Sequence, residues 1–140
     1  MPEYRGAGAY SWTLINKETE TGLTLPVIDE GIDSGNIIDI QSFKINHEAD
    51  TAETLFDRGN ELLFGMFRSW FEKLLVGEYK EKEQDSSNSA IYYRRDLNKA
   101  KDISNYIRAF TFSDKESAYF VNNDGEKVYI DFWSKDENRS

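Results

Sequence analysis

Apolar positions along the 140-residue chain alternate between helical and strand-like spacing. Between Ala7 and Asn16, Tyr10, Leu14 and Ile15 recur at helical intervals, behind Gly6 and Gly8 and ahead of an Asn16-Lys17 stop, which predicts a short helix. Leu23 to Ile28, opened by Gly22, is short, β-branched and apolar and reads as a strand. Pro26 cannot donate to a ladder and argues for a sheet edge there. After the loop Asp29 to Gly35, the stretch Ile37 to Ile45 reads as a half-buried strand, alternating in its second half. Asp50 or Thr51 then caps a long helix reaching Val76, with Glu53 in its first turn. Leu55, Leu62, Leu63, Met66, Phe67, Trp70, Leu74 and Leu75 fall on one broad face of it, which is read as a core face. A polar loop covers Gly77 to Ser89. Ile91 to Arg95 reads as extended, and Asn98 to Phe110 as an amphipathic helix with Ile103, Tyr106, Ile107 and Phe110 inward. Two aromatic, β-branched runs, Ser117 to Val121 and Lys127 to Asp131, flank an Asp124-Gly125 turn and predict a hairpin.

Composition narrows the chemistry. Seventeen basic against 26 acidic side chains give a net charge of −9, which disfavours nucleic acid and anionic membranes as partners. The charge is uneven: residues 1–77 carry −7 and residues 78–140 only −2. With no cysteine, disulfides, thiolate nucleophiles and cysteine-based zinc sites are excluded, and with one histidine, His47, any triad would have to be built around it. No run approaches the apolar length of a membrane span and residues 1–6 contain no apolar signal core, so a cytoplasmic chain is expected.

Three places carry candidate chemistry. Asp29, Glu30 and Asp33 put three carboxylates on a glycine-bearing loop, which suits a general base, an orienting group, a hard-metal site or a solvated turn. The spaced ligands of an EF-hand are missing, and no metal is expected. His47 lies in a polar link before the long helix and reads as an exposed linker residue. Arg94-Arg95 beside Tyr92-Tyr93 suits a phosphate clamp with a stacking ring, although neighbours in a strand point to opposite faces.

The ordered series Pro2-Glu3-Tyr4-Arg5-Gly6, Glu20-Thr21-Gly22-Leu23-Thr24 and Asp29-Glu30-Gly31-Ile32-Asp33-Ser34-Gly35 resembles the formyltransferase family, which includes methionyl-tRNA, glycinamide ribonucleotide and sugar N-formyltransferases. Asp50-Thr51-Ala52-x-Thr54-Leu55 resembles the start of that family's long helix. Tyr92 to Arg95 and Asn105 to Phe110 resemble the region behind its catalytic core, and the likeness extends over about residues 2–131. The resemblance implies transfer of a formyl group from 10-formyltetrahydrofolate, the co-substrate, to a primary amine. It places Asp33 as the catalytic aspartate, and the turn Ile28, Asp29, Glu30, Gly31 and Ile32 against the folate's pterin. Tyr4, Arg5, Gly6, Tyr93, Arg94 and Arg95 are the substrate-binding candidates.

The resemblance also implies an α/β fold in which residues 1–77 form the second half of a Rossmann-like formyltransferase core. Residues 78–90 would be a linker, 91–133 a C-terminal helix and β-hairpin subdomain, and 134–140 a tail. The family's catalytic Asn and His stand in a pattern like Asn-x-His-x-Ser-x-Leu-Pro just before Pro-x-Tyr-Arg-Gly. That pattern is not in these 140 residues, His47 falls on the wrong side of Asp33, and Pro26 stands where the family often has a histidine. A C-terminal portion is therefore expected, inactive alone, completed by an N-terminal half or by another copy. The nearly neutral segment after Tyr93 lacks the basic stripe a polynucleotide needs and favours a nucleotide-linked amino sugar. The alternatives are a methionyl-tRNA formyltransferase fragment and a non-catalytic remnant serving as a binding module.

Overall fold

The computed structural model describes residues 3–31, 33–85, 87, 90–92 and 102–130. In chain order these form β1 (Tyr4–Arg5), α1 (Ala9–Ile15), β2 (Glu20–Pro26), β3 (Ile37–Lys44), α2 (Ala52–Leu75), β4 (Ala90–Ile91), α3 (Ile103–Phe110), β5 (Ala118–Val121) and β6 (Lys127–Ile130), a mixed α/β arrangement. The expected elements are present, with the last helix starting at Ile103 behind an Asp102 cap. The part of that prediction over 98–101 lies outside the described residues, as does the expected tail 134–140.

β2 and β3 pair antiparallel, from Glu20 opposite Lys44 to Leu25 opposite Asp39, with the register shifting before Pro26 meets Ile37. The shift falls at the proline, which has no N–H to give the ladder. The ten-residue excursion between the strands, at the end where Pro26 meets Ile37, carries the acidic loop. β1 and β4 form a separate two-residue parallel pair, and β5 and β6 an antiparallel hairpin closed at Gly125, whose φ of +85° suits a residue without Cβ.

α1 lies at the centre. Leu14 is fully buried with Ile45, Ala52 and Leu55, and Tyr10, Phe43 and Phe112 pack around this cluster. Trp12 and Ile15, also on α1, pack against the second cluster of Tyr106, Ala109, Phe110 and Ala118. Ser11 Oγ donates to Ala109 O at 2.7 Å, and Tyr106 Oη donates to Tyr119 O at 2.9 Å, so the helix and hairpin at the C-terminal end are tied to the same core.

α2 starts as expected. Thr51 Oγ1 accepts from Thr54 N while Thr54 Oγ1 accepts from Thr51 N, a reciprocal capping box. Its apolar face is only partly a core face. Leu55 and Met66 are buried, Leu62, Trp70 and Leu74 are half-buried, but Leu63, Phe67 and Leu75 are exposed, together with Phe64 and Phe71. The 24-residue helix spans about 36 Å, longer than the two-stranded sheet and α1 beneath it, so its second half outruns its cover.

His47 is a further difference. It is half-buried, and its Nε2 lies 2.7 Å from the Glu18 carbonyl oxygen, binding the link before α2 to the turn after α1. Beside it, buried Asp50 accepts from Asn46 N, Thr54 Oγ1 and Arg58 Nη1. Arg108 of α3, also buried, donates to Asp50 O and to Asn105 Oδ1. Burial pulls the Arg108 guanidinium below its ordinary pKa, opposed by the nearby charges of Asp102 and Asp50.

Candidate functional site

The motif Tyr4-Arg5-Gly6 forms β1 and the turn into α1. Gly6 has φ +84°, and a Cβ there would sit 3.2 Å from Tyr92 O. This close approach lets the chain end of β4 run beside the turn, with Tyr92 N donating to Arg5 O at 2.9 Å. The Tyr92 ring stacks on Tyr4 with centroids 4.8 Å apart and tilts against Trp12 at 5.2 Å. The Tyr4 hydroxyl donates to Glu18 at 2.5 Å and accepts from Asn16 Nδ2 at 2.9 Å. Burial first, then the bond to Glu18, pushes the Tyr4 phenol pKa up, so this hydroxyl stays protonated and serves as an anchor.

Across the turn stands Asp33. It adopts φ 51°, a left-handed conformation that Asp tolerates better than most residues, and its Oδ2 accepts from Gly6 N at 3.0 Å. The first and third sequence motifs, 27 residues apart, are thus joined by one hydrogen bond. The bond fixes one carboxylate oxygen, and the other accepts no hydrogen bond among the described residues. Asp29 has a different task. Its carboxylate accepts from Gly31 N at 3.1 Å and from Ser34 Oγ at 2.9 Å, closing the acidic loop on itself. Glu30 and Gly31 are exposed, and Ile28 is 95% exposed.

Behind the Asp33–Gly6 contact lies a cavity of about 310 Å³. Tyr4, Arg5, Gly6 and Asp33 border it, as do Thr24 and Pro26 from β2 and residues that sequence reasoning did not place in a site: Tyr10 from α1, Phe56 from α2, and Gln84. Gln84 accepts from Arg5 Nη2 and donates to Gly35 O at 2.9 Å, which ties the arginine to the end of the acidic loop. Tyr10 reaches into the wall because Gly59 of α2 leaves room for its hydroxyl. Thr24 belongs to the Glu-Thr-Gly-x-Thr motif, so a signal existed, whereas nothing local marks Gln84, which arrives by long-range packing. Ile28, Asp29, Glu30 and Gly31 form the adjacent loop without bordering the cavity. Ile32, Tyr93, Arg94 and Arg95 lie outside the described residues. Among the described residues no group of three or more His, Asp or Glu is placed to share a metal ion, and no helix is long and apolar enough to cross a membrane.

The arrangement pairs a positioned carboxylate with a small cavity bordered by the aromatic Tyr4, Tyr10 and Phe56 among smaller and polar residues. Such a carboxylate can accept a proton or hydrogen bond from an amine held in the cavity. Comparisons with known proteins place the sequence and fold in a class. An N-formyltransferase from Helicobacter canadensis, solved with folinic acid and dTDP-3-aminofucose, superposes with a TM-score of 0.75 at 32% identity, covering 84% of this chain and 46% of that one. A sugar N-formyltransferase from a Shewanella species shares the fold, with a TM-score of 0.80 at 24% identity over 94% of this chain and 56% of that one. The methionyl-tRNA formyltransferase of Malacoplasma penetrans is 33% identical over 139 residues, 92% of this chain and 42% of that protein. Residues 1–65 match the Formyl transferase family, and residues 97–132 match the N-formyltransferase dimerization C-terminal domain. The chain belongs to the formyltransferase family. It spans about half or less of the length of the relatives it matches.

Proposed function

We propose that this chain supplies the aspartate-bearing half of a site that transfers a formyl group from 10-formyltetrahydrofolate to the amine of a nucleotide-linked amino sugar. The observation that carries the proposal is Asp33, fixed by Gly6 N at the rim of the cavity. In the reaction the amine nitrogen bonds to the formyl carbon, the bond from that carbon to folate N10 breaks, and the amine proton ends on N10. Asp33 accepts a hydrogen bond from the attacking amine or a water beside it and so guides that proton. In the family an amide and an imidazole steady the formyl oxygen as charge develops on it. Residues 1–77 are then the second half of a Rossmann-like core, the loop 28–32 borders the pterin, and Arg94 or Arg95 takes the pyrophosphate. Residues 97–132 pair two copies, in keeping with the domain they match.

A second reading, methionyl-tRNA as the amine, draws on the Malacoplasma relative. The net charge of −9 weighs against a polyanionic substrate. To test both, residues 1–140 are joined behind a strand carrying Asn-x-His-x-Ser. The joined protein is given 10-formyltetrahydrofolate with dTDP-3-aminofucose or methionyl-tRNA, and the N-formyl product is followed by mass spectrometry. The sugar nucleotide is the expected substrate, and Asp33→Asn lowers its turnover about a hundred- to ten-thousand-fold. Undiminished turnover by Asp33→Asn removes Asp33 from the chemistry, and formylation of the tRNA alone selects the second reading.

A further inference from the structure

One side chain of the segment after α2 behaves unlike its neighbours. Glu81, Lys82, Glu83 and Asp85 are exposed, whereas Gln84 is half-buried and borders the cavity. The segment is seated on the start of β3. Ile37 N donates to Lys82 O at 2.7 Å, Lys82 N donates to Ile37 O at 2.8 Å, and Asn36 Nδ2 donates to Glu81 Oε2 at 3.1 Å. From that seat Gln84 reaches two partners. Its Nε2 donates to Gly35 O at 2.9 Å, and its Oε1 accepts from Arg5 Nη2. Gly35 is buried and lies against Val27, just past β2, where a Cβ would collide with Val27 O, so the backbone that presents its carbonyl is packed in place.

The bridge runs beside the contact that holds Asp33. Arg5 precedes Gly6, whose N–H donates to Asp33 Oδ2 at 3.0 Å, and Gly35 follows Asp33 by two residues. The same two stretches of chain are therefore joined twice, once directly and once through Gln84. The direct bond is exposed and competes with water, and Asp33 makes it from a left-handed backbone with φ 51°. Forming such a contact costs ordering entropy, and a second tie one or two residues away supplies much of that ordering in advance. We propose that Gln84 is a positioning residue for formyl transfer, bridging Arg5 to Gly35 O so that the Asp33 carboxylate stays on Gly6 N at the rim of the cavity. The proposal deepens the formyl-transfer reading and rests on it for its consequence. The group that meets the amine is Asp33, and Gln84 acts through it.

The Gly6 amide reports the contact directly, because its N–H donates to Asp33. Its hydrogen exchange is measured by nuclear magnetic resonance on the full 140-residue chain. The Tyr92 amide, which donates to Arg5 O, is the control for β1, and the amides of α2 are the control for folding. Gln84→Ala is expected to speed Gly6 exchange about fivefold, as Asp33→Ala does, and to leave Tyr92 and α2 within about twofold of wild type. Gln84→Glu keeps an acceptor for Arg5 but sets a carboxylate against Gly35 O, and it is expected to match Gln84→Ala. Being nearly isosteric, it also decides the question should the alanine variant not fold. In the Asp33→Ala background Gln84→Ala is expected to add nothing, which a merely structural role would not produce. The proposal is overturned if Gly6 exchange in either folded Gln84 variant equals that of wild type, if Tyr92 exchange rises in parallel, or if the effects of Gln84→Ala and Asp33→Ala add. No substrate enters the measurement, so loss of the formyl-transfer reading, through undiminished turnover by Asp33→Asn, and loss of the role of Gln84 are separate results.

Discussion

Two glycines of one helix separate a packing requirement from helix propensity. Gly59 and Gly65 both lie inside α2. A Cβ at Gly65 meets nothing within 4 Å, so Gly65→Ala is expected to stabilise the protein by about 0.5–1 kcal/mol through propensity alone. A Cβ at Gly59 would lie 2.0 Å from the Tyr10 hydroxyl oxygen and 2.9 Å from its Cζ, so the ring must shift out of a wall that α1 and α2 build together. Overpacking of this kind costs about 1–3 kcal/mol, from which the same propensity gain is subtracted. The propensity term cancels between the two variants, so Gly65→Ala should exceed Gly59→Ala by about 1–3 kcal/mol. Urea unfolding followed by helical circular dichroism measures this as a difference in midpoint at constant slope. Equal stabilisation by both substitutions would refute the packing of Tyr10 on Gly59, and with it the position of one wall of the cavity.

Three further predictions follow from individual contacts. Thr51→Ala removes one arm of the capping box on α2 and should cost about 1 kcal/mol in chemical unfolding, with Thr51→Ser near neutral. Asp50→Ala leaves Arg58, Thr54 and Asn46 N without their buried acceptor and should cost about 3 kcal/mol, and a thermal midpoint unchanged from wild type would contradict the importance of that carboxylate. At Asp102 the backbone N–H of Asn105, then Lys17, holds the carboxyl pKa below its ordinary range. The stability it contributes is complete above the unfolded-state value of about 4 and is lost as pH falls through the depressed folded value. Asp102→Asn, which keeps an N-cap acceptor, should therefore differ from wild type in melting temperature near neutral pH and converge on it toward about pH 3. A gap that widens on acidification would reverse the assigned sign.

Much of the fold was legible because its signals are local. Thr51 and Thr54 bracket the start of α2, Gly125 marks the hairpin turn, and the Tyr4-Arg5-Gly6 and Asp29-to-Gly35 motifs point to the two sides of the Asp33–Gly6 contact. What was not legible depends on partners distant in sequence. The stripe on α2 identifies which residues are apolar but not which are covered, and Phe64, Phe67 and Phe71 prove exposed. The β2–β3 pair runs antiparallel although the apolar run of β2 has no clear alternation to signal it. Gln84 and Tyr92 reach the site from the segment after α2, read as a polar loop and a phosphate-clamp neighbour. Gly6 and Gly8 admit the backbone of Tyr92 beside β1, and Gln84 is held there by Arg5 and Gly35 O. His47, read as an exposed linker, takes its place from a carbonyl 29 residues earlier in the chain.

Backbone nuclear magnetic resonance of the 140-residue chain, titrated with folinic acid, tests the central claim most directly. If the acidic loop and the Asp33–Gly6 contact form the folate-facing edge of a formyl-transfer site, saturable amide shifts will concentrate at Gly6, Asp29, Gly31 and Asp33 and leave the far end of α2 unmoved. An absence of saturable shifts, or shifts concentrated around Trp70 and Lys73 at the other end of α2, would contradict it.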